Sequence, residues 1–478
     1  KISGEFTGNY SLAGTINGSG LHFRAVNSTV FQTVAEGVDG TFTGNYGVAS
    51  KGSAKGGVLF NEAFSTYSTV KTVTGTYKNN YLSGKTDALG GVLFNNSADA
   101  NSHAIITKLA GTFTNNYVTS EGTAHGGVIY NTGAMEDVSG TYENNYAVST
   151  GGTALGGAIY TTNDMTINSG EYDTVFSGNY VSTDGGTTKD YQAVYVADAT
   201  KTLTLKATNY GSISFYDKIA GADGFNLHLT GDSTGVVNLY NNVENNANLT
   251  IDNVKLNLAN GTIDNRTFET ITAQDGAKLG VDIDLTNGVA DKITSSGTST
   301  GTILIDSINF VGTQVAVSKV YQILNLSSDS SLKLALNDSY KEVTPEISNT
   351  VKNTDLISQT VYELATTTTT NDSIKIYDKT YDALVLLNQK ETTEERNFNF
   401  VDTSTYTLTD DLGTTSAGTF NINGMKQSSL ARRAISRAST SSTMSTIDLA
   451  GKRGFTIETG TTFNITDTAI INGVAPDK

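Results

Sequence analysis

Any chemistry in this chain has to rest on its carboxylates, its histidines or its aromatic rings. Glycoside hydrolysis needs two carboxylates flanking the scissile bond at a fixed separation. Asn353-Thr354-Asp355 together with Asp410-Asp411 are the nearest approach to such a set. His22, His103, His125 and His228 are the four histidines, and no two are close enough in sequence to suggest a shared metal. The 478 residues contain no cysteine. That removes disulfides, thiol catalysis and thiolate metal sites together, and makes a structural zinc centre unexpected. Asp282-x-Asp284 followed by Asn287-Gly288 has the outline of a calcium loop. Its spacing is off by one and the terminal bidentate glutamate is missing, so it reads as a pair of surface carboxylates on one strand face. No phosphate-binding loop, nucleophile elbow or Ser-His-Asp pattern is present. Tyrosine and phenylalanine rings can stack on sugars, but burial in a core is their default role. The expectation is therefore no catalytic residue, no metal and no cofactor.

The elements available to position such groups are strands. The chain has 49 Gly, 23 Tyr and 18 Phe but only 2 Pro and no Trp, alongside abundant Thr, Asn, Ser, Val and Ile. β-Branched and aromatic residues favour strands, and scarce proline suits ladders that need every N–H. Lys plus Arg total 31 against 47 Asp plus Glu, a formal charge of −16. A nucleic-acid partner, which requires a basic footprint, is excluded, and the acidic surface argues for solubility. No apolar run reaches the length of a membrane-spanning helix. Lys1 leads directly into Ile2-Ser3-Gly4-Glu5-Phe6 with no charged-then-apolar leader, which is expected of a processed or excised piece of something longer.

Two motifs recur in phase. The first is Phe or Tyr, two variable residues, then Asn-Tyr: Phe6…Asn9-Tyr10, Phe42…Asn45-Tyr46, Tyr77…Asn80-Tyr81, Phe113…Asn116-Tyr117, Tyr142…Asn145-Tyr146 and Phe176…Asn179-Tyr180. The aromatics are spaced by 36, 35, 36, 29 and 34 residues. The second follows 13 or 14 residues later in the clear copies. It begins at Gly56-Gly57, Gly90-Gly91, Gly126-Gly127 and Gly156-Gly157 and continues as Val-Leu-Phe-Asn or its relatives. Weaker copies are Gly20-Leu21-His22-Phe23 and Gln192-Ala193-Val194-Tyr195. A single repeat cannot bury enough apolar surface to offset the entropy of ordering it, whereas stacked repeats share one core and one set of ladders. The predicted class is all-β, a parallel β-helix or β-solenoid in which equivalent residues lie about 4.8 Å apart along the axis. Asn and Tyr would form structural ladders. Asn would supply left-handed corners and the Gly-Gly pair positive φ at another corner.

These alternating Gly-Gly-Ala-Ile-type and Phe-x-x-Asn motifs resemble those of the chlamydial polymorphic outer membrane proteins and, more broadly, the passenger domains of bacterial autotransporters. The resemblance covers residues 1–197. The first and sixth copies depart from it by losing the Gly-Gly pair, and Val replaces Ala in three of the four clear ones. It implies a right-handed β-helix displayed outside the outer membrane of a Gram-negative bacterium, often adhesive. Family members normally end in a membrane β-barrel. The last residues, Asn472-Gly473-Val474-Ala475-Pro476-Asp477-Lys478, lack the alternating aromatic strand of a barrel terminus, so membrane contact is expected only through a region absent from this chain.

Beyond 197 the motifs stop, yet alternation continues at Leu203-Thr204-Leu205-Lys206, Ile213-Ser214-Phe215-Tyr216, Leu227-His228-Leu229, Val236–Tyr240 and Leu249-Thr250-Ile251, with turns at Asp223-Gly224, Asn260-Gly261 and Asn287-Gly288. Residues 198–340 are read as less regular coils. A polar stretch and the Thr366–Thr370 run mark 341–397 as a loop-rich insertion or joint near 340–400, with a short helix over Asp382 to Arg396. Residues 398–478 are read as further solenoid coils, on the shared Gly-Thr-(Thr)-Phe-Asn-Ile pattern at 418–422 and 460–465. Arg432, Arg433, Arg437, Lys452 and Arg453 form a basic island, either a docking or processing loop or a solvated loop with stray charge.

The leading functional expectation is a non-enzymatic, extracellular surface protein, a rigid rod presenting loops to other surface proteins or to host or matrix glycans. The second is a self-assembling fibre or surface-layer subunit, because neither end shows a polar cap and open sheet ends template addition. The third is a polysaccharide-processing enzyme. Asn353-Thr354-Asp355 and Asp410-Asp411 resemble fragments of the polygalacturonase motif set, but its Gly-His-Gly and Arg-Ile-Lys elements are absent.

Overall fold

In the computed structural model, residues 1–26, 33–170, 173–284, 286–311 and 320–336 are described, and beyond 336 only the backbone of strands. All regular structure among the described residues is β, without a helix.

Each early repeat folds as four strands that join four different sheets. In the third repeat these are Tyr67–Lys78, Tyr81–Gly84, Asp87–Leu89 and Leu93–Ser97. Each pairs in parallel with its counterpart in the next repeat, and the register matches like with like: Tyr77 with Phe113, Tyr81 with Tyr117, Ala88 with Ala124, Leu93 with Ile129. Alternation explains the choice of faces. In Tyr81–Gly84 the even residues Leu82 and Gly84 are buried while Tyr81 and Ser83 are half-exposed, as a period of two requires. The inward residues form one long core, running from Val38 and Phe42 through Leu93, Phe113 and Ile159 to Leu334. A second, smaller one is built from Ala54, Ala88, Ala124 and Ala154 with Leu82 and Val118. Parallel strands buried against neighbours along a shared axis are compatible with a β-solenoid.

The same stacking continues in shorter repeats past residue 197. Leu203, Leu227, Leu249 and Ile271 form one column, and Ile213, Val237, Leu256 and Leu279 another. The strand segments expected there from alternation are all strands, and Gly224, Gly261 and Gly288 have the positive φ that their turns demand. One antiparallel excursion interrupts the pattern, between Lys278–Asp284 and Val289–Ala290.

Beyond 336, Ile357–Thr366 pairs antiparallel with Ser373–Leu384. The ends of the short helix expected over Asp382 to Arg396 are strand instead, the one running through Leu384 and the next beginning at Glu395; 385–394 lie outside the described residues. Gly418–Met425 and Thr461–Thr466 lie side by side in parallel, with Phe420 against Phe463, Asn421 against Asn464 and Ile422 against Ile465, so the shared pattern marks neighbouring strands.

The Gly-Gly corners obey two constraints, not one. The first glycine of each pair, at 56, 90, 126 and 156, has φ between +63° and +69°; the second does not need positive φ. A Cβ on Gly91 would sit 2.2 Å from the Gly127 carbonyl oxygen and 2.8 Å from that of Tyr117, both fixed by the ladder. Sterics alone exclude a side chain there. Gly91→Ala is therefore expected to destabilise the fold by about 1–3 kcal/mol, seen as a lowered thermal midpoint. Exposed Thr76→Ala is expected to stay within about 0.5 kcal/mol.

Candidate functional site

The six motif asparagines form one hydrogen-bonded column. The residue preceding each, Gly8, Gly44, Asn79, Asn115, Asn144 and Gly178, is left-handed, with φ from +54° to +71°. The ladder asparagines themselves are not, so the left-handed corner expected of them belongs one position earlier. That corner turns the next side chain inward between repeats. Asn45 Nδ2 donates to Asn80 Oδ1 at 2.8 Å and to the Phe6 carbonyl at 2.9 Å. Asn80 Nδ2 does the same to Asn116 and Phe42, Asn116 to Asn145 and Tyr77, and Asn145 to Asn179 and Phe113. Each Oδ1 also accepts the backbone N–H of the preceding rung's asparagine, as Asn116 Oδ1 does from Asn80 at 3.0 Å. Asn80, Asn116, Asn145 and Asn179 are fully buried. A buried amide with both donors and both acceptor sites filled avoids the desolvation penalty that a half-satisfied one incurs.

The column ends on Asp217, which lies outside the recurring sequence motif. Its Oδ1 accepts Gly178 N–H at 2.9 Å, and its Oδ2 accepts Asn179 N–H and Nδ2, each at 2.8 Å. A ladder that donates in one direction needs a last rung that only accepts, and a carboxylate supplies it. Burial pushes the Asp217 carboxyl above its ordinary value, against the pull of those three donors. The sequence signal was Phe215 two residues earlier, stacked on Phe176 at 4.5 Å, where the motif spacing has contracted by one.

Three aromatic columns flank the amide ladder. Phe6, Phe42, Tyr77, Phe113, Tyr142, Phe176 and Phe215 stack in the core at 4.5–5.0 Å between centroids. Tyr10, Tyr46, Tyr81, Tyr117, Tyr146 and Tyr180 stack on the outer face at 4.6–5.5 Å. His22, Phe60, Phe94, Tyr130, Tyr160 and Tyr195 form the third. A second amide ladder, Asn61 to Asn95 to Asn131, ends on the Thr161 hydroxyl; these asparagines close the Gly-Gly motif. A glycine column at 40, 75, 111 and 140 also escaped notice, although Gly-x-Phe/Tyr recurs. A Cβ on Gly75 would meet the Gly40 carbonyl oxygen at 2.0 Å. In the sixth copy, which lacks the Gly-Gly pair, Gln192 Oε1 accepts Gly156 N–H at 2.8 Å and so replaces a backbone acceptor with a side chain.

The residues singled out for chemistry do not converge. His125 is buried against Tyr160, 4.3 Å between ring centroids, and bonds Thr153 Oγ1; burial holds its pKa near 4, so it is neutral. His22 lies beside Glu62, His103 stacks on Tyr67 and His228 faces Asp252. Among the described residues no group of three or more His, Asp or Glu could hold a metal ion. Asp282 and Asp284 are not a surface pair: Asp282 is fully buried and accepts N–H groups from Asn260 and Gly261, each at 2.8 Å, and the Asn309 amide. Asp291, equally buried, holds Asp264 N–H and Asp282 N–H at 2.8 and 2.7 Å. Asn353, Thr354, Asp355, Asp410, Asp411, Arg432, Arg433, Arg437, Lys452 and Arg453 lie outside the described residues.

Two outcomes follow from this geometry. Asp217→Asn puts an amide N–H₂ against donors and is expected to cost about 1–3 kcal/mol, measured by thermal unfolding. Burial, opposed by two backbone N–H groups and reinforced by Asp282 and Asp264, pushes the Asp291 carboxyl from 3.8 up to about 7. The folded state then binds this proton more tightly than the unfolded chain, so the stabilisation is complete below 3.8 and lost as pH rises through about 7. Unfolding at pH 5 and pH 8 is expected to show the difference, and Asp291→Asn to flatten it. No protein-family model and no curated protein matches this chain.

Proposed function

We propose that the chain is a non-enzymatic bacterial cell-surface protein, structural or adhesive, of the autotransporter-passenger kind that its repeats resemble. It is a rigid right-handed parallel β-helix held outside the outer membrane. The observation that carries the reading is the unbroken amide column from Asn9 through Asn179 to Asp217. It uses the most recognisable residues of the sequence for length and stiffness rather than for a reaction. Right-handedness is favoured by the general bias of parallel crossover connections. Residues 1–197 are the regular part, 198–340 less regular coils, 341–397 an insertion or joint and 398–478 a terminal set of coils.

Its partners are other surface proteins and host or matrix glycans, and several copies on one surface bind by multivalency. Small-angle scattering of the purified chain is expected to report an elongated particle with a β-helical portion about 70–90 Å long. Beads coated with the chain are expected to attach to cells or matrix more than uncoated beads do. A compact particle, or attachment no greater than that of uncoated beads, would refute the rod and the adhesive role respectively.

A further inference from the structure

The outer tyrosine face belongs to neither the core nor the amide ladder, and it carries a groove. Tyr46, Tyr81, Tyr117, Tyr146 and Tyr180 are half-buried, one per repeat. Two residues further along each strand, on the same face, lie Val48, Ser83, Thr119 and Val148. Of these Ser83, Thr119 and Val148 border an open groove of about 500 Å³ that runs across successive repeats beside the tyrosine column. Ser120 and Ser149 spend their hydroxyls inward on the Thr86 and Gly122 carbonyls. The hydroxyls of Ser83 and Thr119, like the phenols of Tyr81 and Tyr117, make no hydrogen bond among the described residues. Burial and the adjacent phenol push both tyrosines above their ordinary pKa, so their hydroxyls remain donors.

The groove has one closed end. After the sixth tyrosine the chain leaves the strand, and Asp184 fastens this loop by accepting the Ser182 hydroxyl and Thr188 N–H. Gly185 lines the groove, and Lys189 Nζ caps the last ring of the stack, 4.4 Å from the centre of Tyr180. On the rim Lys85 and Glu121 neutralise each other. These two are the charged residues lining the groove and balance, Lys189 at its end is engaged by the Tyr180 ring, and the chain's net charge of −16 repels polyanions.

We infer that this face binds a neutral, linear, extended polysaccharide lying along the stack of repeats. The inference rests on the proposed surface role and names its ligand class. Charge sets the first limit, because a balanced groove on an acidic protein selects an uncharged chain. Period sets the second: the rings advance by 4.6–5.5 Å, about the advance per sugar of an extended β-1,4-linked chain. Each repeat then meets one sugar with an aromatic edge, and the third and fourth repeats each add a free hydroxyl, those of Ser83 and Thr119. Affinity accumulates with length, as for linked modules.

Calorimetric titration of the full chain with cellohexaose and chitohexaose, their trisaccharides and heparin tests this. At least one neutral hexasaccharide is expected to bind roughly tenfold more tightly than its trisaccharide, and heparin not at all. Tyr117→Ala and Thr119→Arg are each expected to weaken hexasaccharide binding by roughly tenfold or more. Thr119→Arg fills the groove from outside the core, so it keeps the comparison sound should Tyr117→Ala lower stability. Absence of heat with both hexasaccharides at millimolar concentration, binding of heparin alone, or undiminished binding by both variants overturns the inference. Scattering on the same sample separates the two readings: an elongated particle without saccharide binding leaves the rod standing and removes only the ligand class.

Discussion

A side-chain amide taken out of water has to find two acceptors and two donors or carry the cost of those it lacks. In this chain a ladder asparagine finds them only in the repeats before and after it. Asn80, for example, depends on Asn45 on one side and Asn116 on the other, with the Phe42 carbonyl completing the set. Every rung is therefore satisfied by its neighbours and by nothing of its own. This makes the stability of the repeats nearest-neighbour in character, and it fixes register: a slip by one residue would carry the amides out to solvent and the Tyr81 type of ring into the core. The aromatic stacks follow from the same register rather than causing it. Once Asn sits on Asn, Phe42 must sit on Tyr77 and Tyr46 on Tyr81.

How much of this was legible beforehand depends on whether a residue's role repeats. The asparagine, tyrosine and Gly-Gly positions recur at near-constant phase, and the strand segments past 197 announce themselves by alternation. What recurs but looks unremarkable was passed over, notably Gly40, Gly75 and Gly111, where the reason for glycine is a carbonyl in the adjacent repeat. Sequence also assigned the left-handed corner to the ladder asparagine when Asn79 and Gly44 adopt it. Both residues of an Asn-Asn pair are turn formers, and only the hydrogen bonds tell them apart. Roles that occur once were invisible. Asp217 ends a column whose existence had to be known first, and Asp282 reads as a surface carboxylate until its donors Asn260, Gly261 and Asn309, remote in sequence, are seen. The candidate binding face stands between these cases: its tyrosines were noticed as ladder positions, but its groove arises from where the strands end.

The contrast between the two asparagine ladders and their endings indicates how such a stack changes character along its length. Donation runs from Asn9 toward Asn179, so the column needs an acceptor at its far end and meets a carboxylate; the second ladder meets a hydroxyl at Thr161, which in turn donates a hydrogen bond to the Asn163 carbonyl. After these endings the repeats shorten and the columns become aliphatic, with only brief polar links such as Asn257 to Asn238 to Ser214. Polar columns demand strict local register, because an amide misplaced by one residue is unsatisfied, but the loops between rungs can differ: Asn116 meets Asn145 across 29 residues where the other rungs are 34–36 apart. The regular part of the chain is thus the part in which both faces are dictated. An outer face that repeats because the inner one must repeat is a surface of constant period, and a partner that recognises it has to share that period or touch a single rung.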